Sequence, residues 1–279
     1  MTRVAAIDLG TNATRLLIAD VEDGRVDELV RRTRITRLGE GVDGRRRLLP
    51  APIARVRNAL SDYRREAEEL GVERALAVAT SAVRDAENGE AFLGEVEWSY
   101  GFATQLLSGD EEAQLTLRGV GPLAPGTLVV DIGGGSTELI TGDFHTSLDI
   151  GCVRLTERHG DDLDALAAEV RSVLPPLTVE RMANVDGTTA ELAHLYGEVP
   201  LDALDRFVAD PPAREHLLQP ERSDVLLAGV VELREIIRHF GLERTEACPR
   251  DLLNGAALVA AELPAPEEGS APPGAFTCC

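Results

Sequence analysis

The chain has 279 residues, 28 of them basic against 48 acidic, for a formal net charge of −20, and every basic side chain is an arginine. A balance this acidic argues against general binding to nucleic acid, and a chain without lysine excludes a lysine-bearing P-loop and any Schiff-base chemistry. The length allows two modest domains with sizeable cores. No apolar run is long enough to cross a bilayer, and Met1-Thr2-Arg3 enters an apolar stretch directly, so we expect a cytoplasmic protein without a signal peptide.

Residues 3–8, 15–21 and 25–32 read as three strands, the last two joined by the turn Glu22-Asp23-Gly24. The first two meet at Asp8-Leu9-Gly10-Thr11-Asn12-Ala13-Thr14-Arg15-Leu16. Residues 31–47 then read as a basic loop, with Arg31, Arg32, Arg34, Arg37, Arg45, Arg46 and Arg47 against Glu40 and Asp43. Such a run is either a solvated surface or a guide for a polyanion. Residues 52–70 carry Ile53, Val56, Leu60 and Tyr63 at helical spacing, closed by Gly71. Residues 74–79 form a buried strand, and Thr80-Ser81-Ala82-Val83-Arg84 follows its carboxyl end, where open α/β sheets bind ligands. Arg84 is thus a candidate phosphate ligand, against the reading of a surface charge. A strand at 102–107 leads to a helix to about Gly119, whose first turn holds Asp110, Glu111 and Glu112. These acids suit the helix dipole unless one of them faces a cleft. Gly119-Val120-Gly121-Pro122 and Ala124-Pro125-Gly126 make a hinge.

The three-strand start recurs at 127–131, 138–141 and 147–150, and its first corner is Asp131-Ile132-Gly133-Gly134-Gly135-Ser136-Thr137-Glu138-Leu139. Three successive glycines offer no Cβ to an approaching anion, and amides in such a turn can converge on phosphate oxygens, with Ser136 and Thr137 adding hydroxyls. Asp131 and Glu138 would repel a phosphate unless a hard cation such as magnesium lay between them. A plain hairpin is the alternative; a dinucleotide site fits poorly, because strand rather than helix follows the glycines. The corner aligns without gaps on Asp8 to Leu16 at an offset of 131 − 8 = 123 residues. Two similar hairpins imply two related domains, 1–120 and 121–263, with a cleft between them. Arg154, in Gly151-Cys152-Val153-Arg154-Leu155, is a second candidate ligand. A helix at 163–174 stops at Pro175-Pro176, and a strand at 182–185 runs into Asp186-Gly187-Thr188-Thr189, a helix start that holds an anion or merely caps itself. Short helices fill 202–219, Asp224 caps a helix to Phe240, a strand spans 243–248 and a helix 251–263. Residues 264–279, rich in proline and glycine, read as a disordered tail. Cys152, Cys248, Cys278 and Cys279 lack zinc spacing and read as free thiols.

These stretches resemble the exopolyphosphatase and guanosine pentaphosphate phosphohydrolase (Ppx/GppA) family, in the superfamily of actin, sugar kinases and heat-shock ATPases. The likeness rests on Asp8 to Asn12, Ala79 to Arg84, Ser108 to Ala113, Asp131 to Glu138, Gly151 to Leu155 and Arg222-Ser223-Asp224-Val225, and covers nearly the whole chain before the tail. It implies an α/β fold of two actin-like domains in the short form of the family. The implied activity is that of an exopolyphosphatase, a phosphoric anhydride hydrolase that releases the terminal phosphate of inorganic polyphosphate, with Mg2+ or Mn2+. Guanosine pentaphosphate 5′-phosphohydrolase activity is the alternative, and a module that senses guanosine tetraphosphate or polyphosphate without catalysis is a further one. Glu112 corresponds to the general base on water. Asp131, Glu138 and Asp8 correspond to metal-holding acids. Thr11, Asn12, Arg15, Arg84 and Arg154 fall at or beside phosphate-binding positions, with Gly133, Gly134, Gly135, Ser136 and Thr137 opposite. No nucleic acid or membrane partner is expected, and a homodimer is one expected assembly. The stretch Asp251-Leu252-Leu253-Asn254-Gly255 departs from the family's Gly-Leu-Arg-Glu-Gly by lacking its basic residue.

Overall fold

In the computed structural model the described residues are 1–197 and 199–264. They fall into two units, one of Met1–Val120 together with the segment that begins at Leu252, the other of Gly121–Asp251. The predicted tail, with Cys278 and Cys279, lies outside the described residues except for Pro264.

The first unit runs β1 (Thr2–Leu9), β2 (Ala13–Glu22), β3 (Arg25–Ile35), α1 (Val42–Arg45), α2 (Pro50–Glu69), β4 (Arg74–Ala79), α3 (Ser81–Arg84), α4 (Gly89–Tyr100), β5 (Ala103–Leu106) and α5 (Gly109–Val120). Its sheet has the order β3-β2-β1-β4-β5, antiparallel through the β1-β2-β3 meander and parallel from β1 to β5. Side chains alternate along β1 with period two, so its two faces feed two cores. Ala5, Ile7 and Leu9 join Val56, Leu60 and Tyr63 of α2 and Phe92 and Val96 of α4. Val4 and Ala6 join Leu17, Ala19 and Leu115 on the other face.

The second unit runs β6 (Thr127–Ile132), β7 (Thr137–Ile140), β8 (His145–Leu148), α6 (Cys152–His159), α7 (Leu163–Val173), β9 (Arg181–Asn184), α8 (Gly187–Tyr196), β10 (Val199–Pro200), α9 (Leu201–Ala209), α10 (Ser223–His239) and β11 (Arg244–Ala247). Its sheet is β10-β11-β9-β6-β7-β8. Taken from β8 inward, β8-β7-β6-β9-β11 repeats β3-β2-β1-β4-β5 strand for strand, with the same parallel and antiparallel pairings. The fold is therefore α/β, two actin-like domains of duplicated topology.

The last helix, α11 (Leu252–Glu262), corrects the expected boundary: it belongs to the first unit, not the second. Its apolar face, Leu252, Leu253, Ala256, Ala257 and Ala260, covers the Val4-Ala6-Leu17-Ala19 side of the first sheet, which would otherwise expose it to water. The approach to α5 is close. A Cβ on Gly255 would stand 1.9 Å from the Leu115 carbonyl oxygen, so glycine is required there by contact. The motif that departs from the family pattern thus serves packing, and Asn254 accepts from Arg31 at 3.2 Å.

Two other expectations are corrected. The basic stretch 31–47 is not all loop, because Arg31, Arg32 and Arg34 lie in β3, where Arg31 pairs with Glu28, Arg32 with Glu66 and Arg34 with Asp62. Asp224 lies inside the first turn of α10 rather than at its cap, which is Arg222.

Candidate active site

In the first unit, three segments leave the carboxyl ends of the neighbouring parallel strands β1, β4 and β5, where Leu9 pairs with Ala79 and Ala79 with Leu106. The first is the hairpin turn Gly10–Asn12. The Thr11 carbonyl accepts from the Gly39 amide at 2.8 Å, and the Asn12 carbonyl accepts from the amides of Thr36 and Arg37 at 3.1 and 2.8 Å. A peptide is planar and trans, so an amide points opposite to the preceding carbonyl. The Asn12 N–H is therefore turned away from the 36–39 loop. The buried Asn12 side-chain nitrogen Nδ2 has no acceptor among the described residues, a donor suited to an anion. Thr11 is buried beside it. Arg15 is drawn to Asp8, with Nε and Nη2 both 2.8 Å from Asp8 Oδ2.

The second and third segments meet. Arg84, at the end of α3, donates from Nη1 to the Leu107 carbonyl at 2.6 Å and lies 3.3 Å from Glu112 Oε2. Of the three acids that open α5, Glu111 is the capping partner: its Oε2 accepts from the Ser108 amide at 2.8 Å and hydroxyl at 2.7 Å, and its own amide donates back to Ser108. Glu112 is instead buried at 6% exposure. The helix start is already satisfied, so Glu112 is an acid taken inside for another reason.

In the second unit the glycine turn follows the same logic with more amides. The carbonyl of Gly133 accepts from Cys152 N at 3.1 Å, that of Gly134 from Val153 and Arg154 N at 2.9 and 3.0 Å, and that of Gly135 from Arg154 Nε at 2.6 Å. All three carbonyls are held by the start of α6. The amides of Gly134, Gly135 and Ser136 consequently face the opposite side, where they donate to no acceptor among the described residues. Gly151 permits this backing, since a Cβ there would stand 2.8 Å from the Gly134 carbonyl carbon. Arg154, expected as a ligand, is buried behind the turn with Nε on Gly135.

Register then places the acids. Asp131 faces Glu138 across β6 and β7, and Asp8 faces Arg15 across β1 and β2, the same pair of positions 123 residues apart. Directly opposed residues share a sheet face with Cβ atoms about 5 Å apart. The first hairpin thus carries an ion pair where the second carries two carboxylates, with Ser147 of β8 donating to Glu138 Oε1 at 2.7 Å. Opposed like charges are unfavourable without a cation. Among the described residues no group of three or more His, Cys, Asp or Glu is placed to hold a metal ion. Two carboxylates suit an ion such as magnesium, which fills its remaining positions with water and substrate oxygens, rather than zinc.

Thr137 corrects its expected role. It is fully buried, and its hydroxyl donates to Glu232 Oε1 of α10, so it fastens the hairpin to the helix instead of offering a donor at the turn. Burial, with Asp186 and Glu138 nearby, pushes the Glu232 carboxyl up to about 8. Burial pushes the Cys152 thiol up to about 11, which keeps it protonated and unreactive at neutral pH. Asp186 takes the capping reading, accepting from Thr189 N at 2.7 Å, and Arg222 packs where a Gly187 Cβ would stand. Sequence reasoning missed Ser147 and Glu232. Ser147 is visible only through strand register, but Glu232 had a signal: Val225, Gly229, Glu232 and Ile236 share one buried helical stripe.

Residues 17–185, more than half of the chain, match the model of the Ppx/GppA phosphatase family. The chain belongs to this family. The Ppx/GppA span contains Arg84, Glu112, the whole second hairpin and Arg154. Exopolyphosphatase 2 of Mycobacterium tuberculosis is 34% identical, over 92% of this chain and 98% of that protein. Among solved structures, a crystallised exopolyphosphatase-like protein is 27% identical with a TM-score of 0.83, covering 92% of this chain and 97% of that one. The Aquifex aeolicus Ppx/GppA protein is 28% identical with a TM-score of 0.73, covering 94% and 98%. No helix among the described residues is long and apolar enough to cross a membrane.

Proposed function

We propose that the chain is a metal-dependent exopolyphosphatase that hydrolyses the terminal phosphate of inorganic polyphosphate. The observation that carries this reading is Glu112, a buried carboxylate beside Arg84 in a helix start that Glu111 already caps. In this reading Glu112 removes a proton from the attacking water. The water oxygen bonds to the terminal phosphorus, the bridging P–O bond breaks, and the shortened chain keeps the bridging oxygen. Each unit offers preset donors suited to charge on phosphoryl oxygens, the Asn12 amide and side chain and Arg84 in the first, and the amides of Gly134, Gly135 and Ser136 in the second. Asp131 and Glu138 would hold Mg2+ or Mn2+, which when bound would neutralise phosphate oxygens. Asp8 orients Arg15 rather than contributing to that pair. The name of the Mycobacterium tuberculosis relative supports polyphosphate as the substrate.

The test is phosphate release, without added acceptor, from tripolyphosphate, long polyphosphate and guanosine pentaphosphate. Release from polyphosphate is expected. Release from guanosine pentaphosphate alone would replace this reading with the 5′-phosphohydrolase. Saturable binding without release would replace it with a sensing module.

A further inference from the structure

Six of the seven arginines of residues 31–47, all but Arg37, separate into two sets in the structure. Those on β3 are matched by acids, Arg31 by Glu28, Arg32 by Glu66 and Arg34 by Asp62, and form an ordinary solvated face. Arg45, Arg46 and Arg47 lie beyond it, all three exposed, at the end of α1. Arg46 has Asp85 at 3.6 Å. Among the described residues Arg45 and Arg47 have no acid within ion-pairing distance, in a chain with a net charge of −20. The nearby Glu40 is engaged by Arg55 at 2.8 Å.

The segment that carries them is fixed at both ends to candidate phosphate-binding pieces. Its start is bonded to the hairpin turn through Gly39 N on Thr11 O and Thr36 and Arg37 N on Asn12 O. Its end is bonded to the loop that follows Arg84, with Glu87 N on Arg46 O at 2.8 Å and Asn88 exchanging two hydrogen bonds with Leu48. Leu38, Val42 and Leu48 are buried beneath it. Arg46 closes α1 at φ 52°, a left-handed conformation that glycine adopts more readily than arginine. The arginines thus stand on a rigid platform joined to the phosphate turn.

The geometry points to a subsite for inner phosphates of a polyphosphate chain on this platform, with Arg45 and Arg47 as its charges. It rests on the proposed function, since it concerns the part of that substrate beyond the terminal phosphate. A short substrate ends before reaching the platform, and a long one is held by it. Contacts of this kind act by releasing counterions, so each contributes to the salt dependence of binding.

The experiment compares the native full-length chain with Arg45→Gln/Arg47→Gln and Arg45→Lys/Arg47→Lys, by binding of long polyphosphate and by hydrolysis of long polyphosphate and tripolyphosphate at several salt concentrations. Losing two charge contacts should lower the salt slope of long-chain binding by about 1.4, so that a fourfold rise in salt weakens native binding ~7-fold more than it weakens the Gln variant. The Lys variant should keep most of the native slope, and tripolyphosphate hydrolysis should be unchanged in both. Equal losses for both substrates, or an unaltered slope for the long chain in the Gln variant, would overturn the inference. Failure of the native chain to release phosphate, with the difference in long-chain binding intact, would overturn the hydrolase reading alone.

Discussion

The hydroxyl of Thr137, in the strand that follows the glycine turn, donates to Oε1 of Glu232 in the middle of α10, and neither side chain reaches solvent. This contact fastens the glycine-turn hairpin to the helix that underlies it, through a carboxyl group held in an apolar interior. The cost of ionising Glu232 there is why its pKa rises to about 8.

The sign of the resulting pH dependence follows from linkage. The folded protein keeps the Glu232 proton up to about pH 8, whereas the unfolded chain releases it near the ordinary value of 4.5. The contribution to stability is fully present below about 4.5 and is lost as pH rises through 8. Glu232→Gln keeps an acceptor and cannot ionise. Urea midpoints measured from pH 4 to 9 should fall less steeply across that window in the variant than in the native protein; parallel curves would show that Glu232 is not protonated in the fold.

Glu112→Gln preserves shape and removes basicity. Turnover of polyphosphate should drop by roughly 10²–10⁴ while binding of long polyphosphate is retained. Near-normal turnover would reduce Glu112 to a buried partner of Arg84.

Asp131→Asn removes one of two facing carboxylates. With magnesium it should lose most of the metal-induced rise in Tm and need more metal for activity. A native chain whose Tm is indifferent to magnesium and manganese would argue against the metal role directly.

Gly255→Ala would force a Cβ to within 1.9 Å of the Leu115 carbonyl oxygen, so α11 must shift on α5. A loss of about 1–3 kcal/mol is expected from chemical denaturation, as for other overpacked contacts. An unchanged midpoint would show that the helix is not seated this closely.

Much of the site was readable because it is local. Strand ending in Asp, small-residue turn and charged strand start recur in sequence at 8–16 and 131–139, and the backbone turns of both hairpins follow from that pattern alone. Composition was equally direct: a chain with arginine as its only fixed cation must hold anions with guanidinium groups, amides and metal. Residue pattern alone did not sort the three acids at 110–112, where only the family resemblance singled out Glu112, because a capping acid and a buried one differ only in whether Ser108 or Arg84 is the partner.

What the sequence by itself determined was the duplicated topology and the two small-residue hairpin turns, since short-range periodicity and turn chemistry specify strands and corners without help from distant residues. Tertiary structure decided the rest. The register across β6 and β7 set Asp131 against Glu138, and helix packing turned Thr137 and Glu232 toward each other over 95 residues of sequence. The same packing assigned α11 to the first unit. An apolar helix such as 252–262 fits any uncovered apolar face, and only the small residues of the first sheet and the contact of Gly255 with Leu115 select which one it covers.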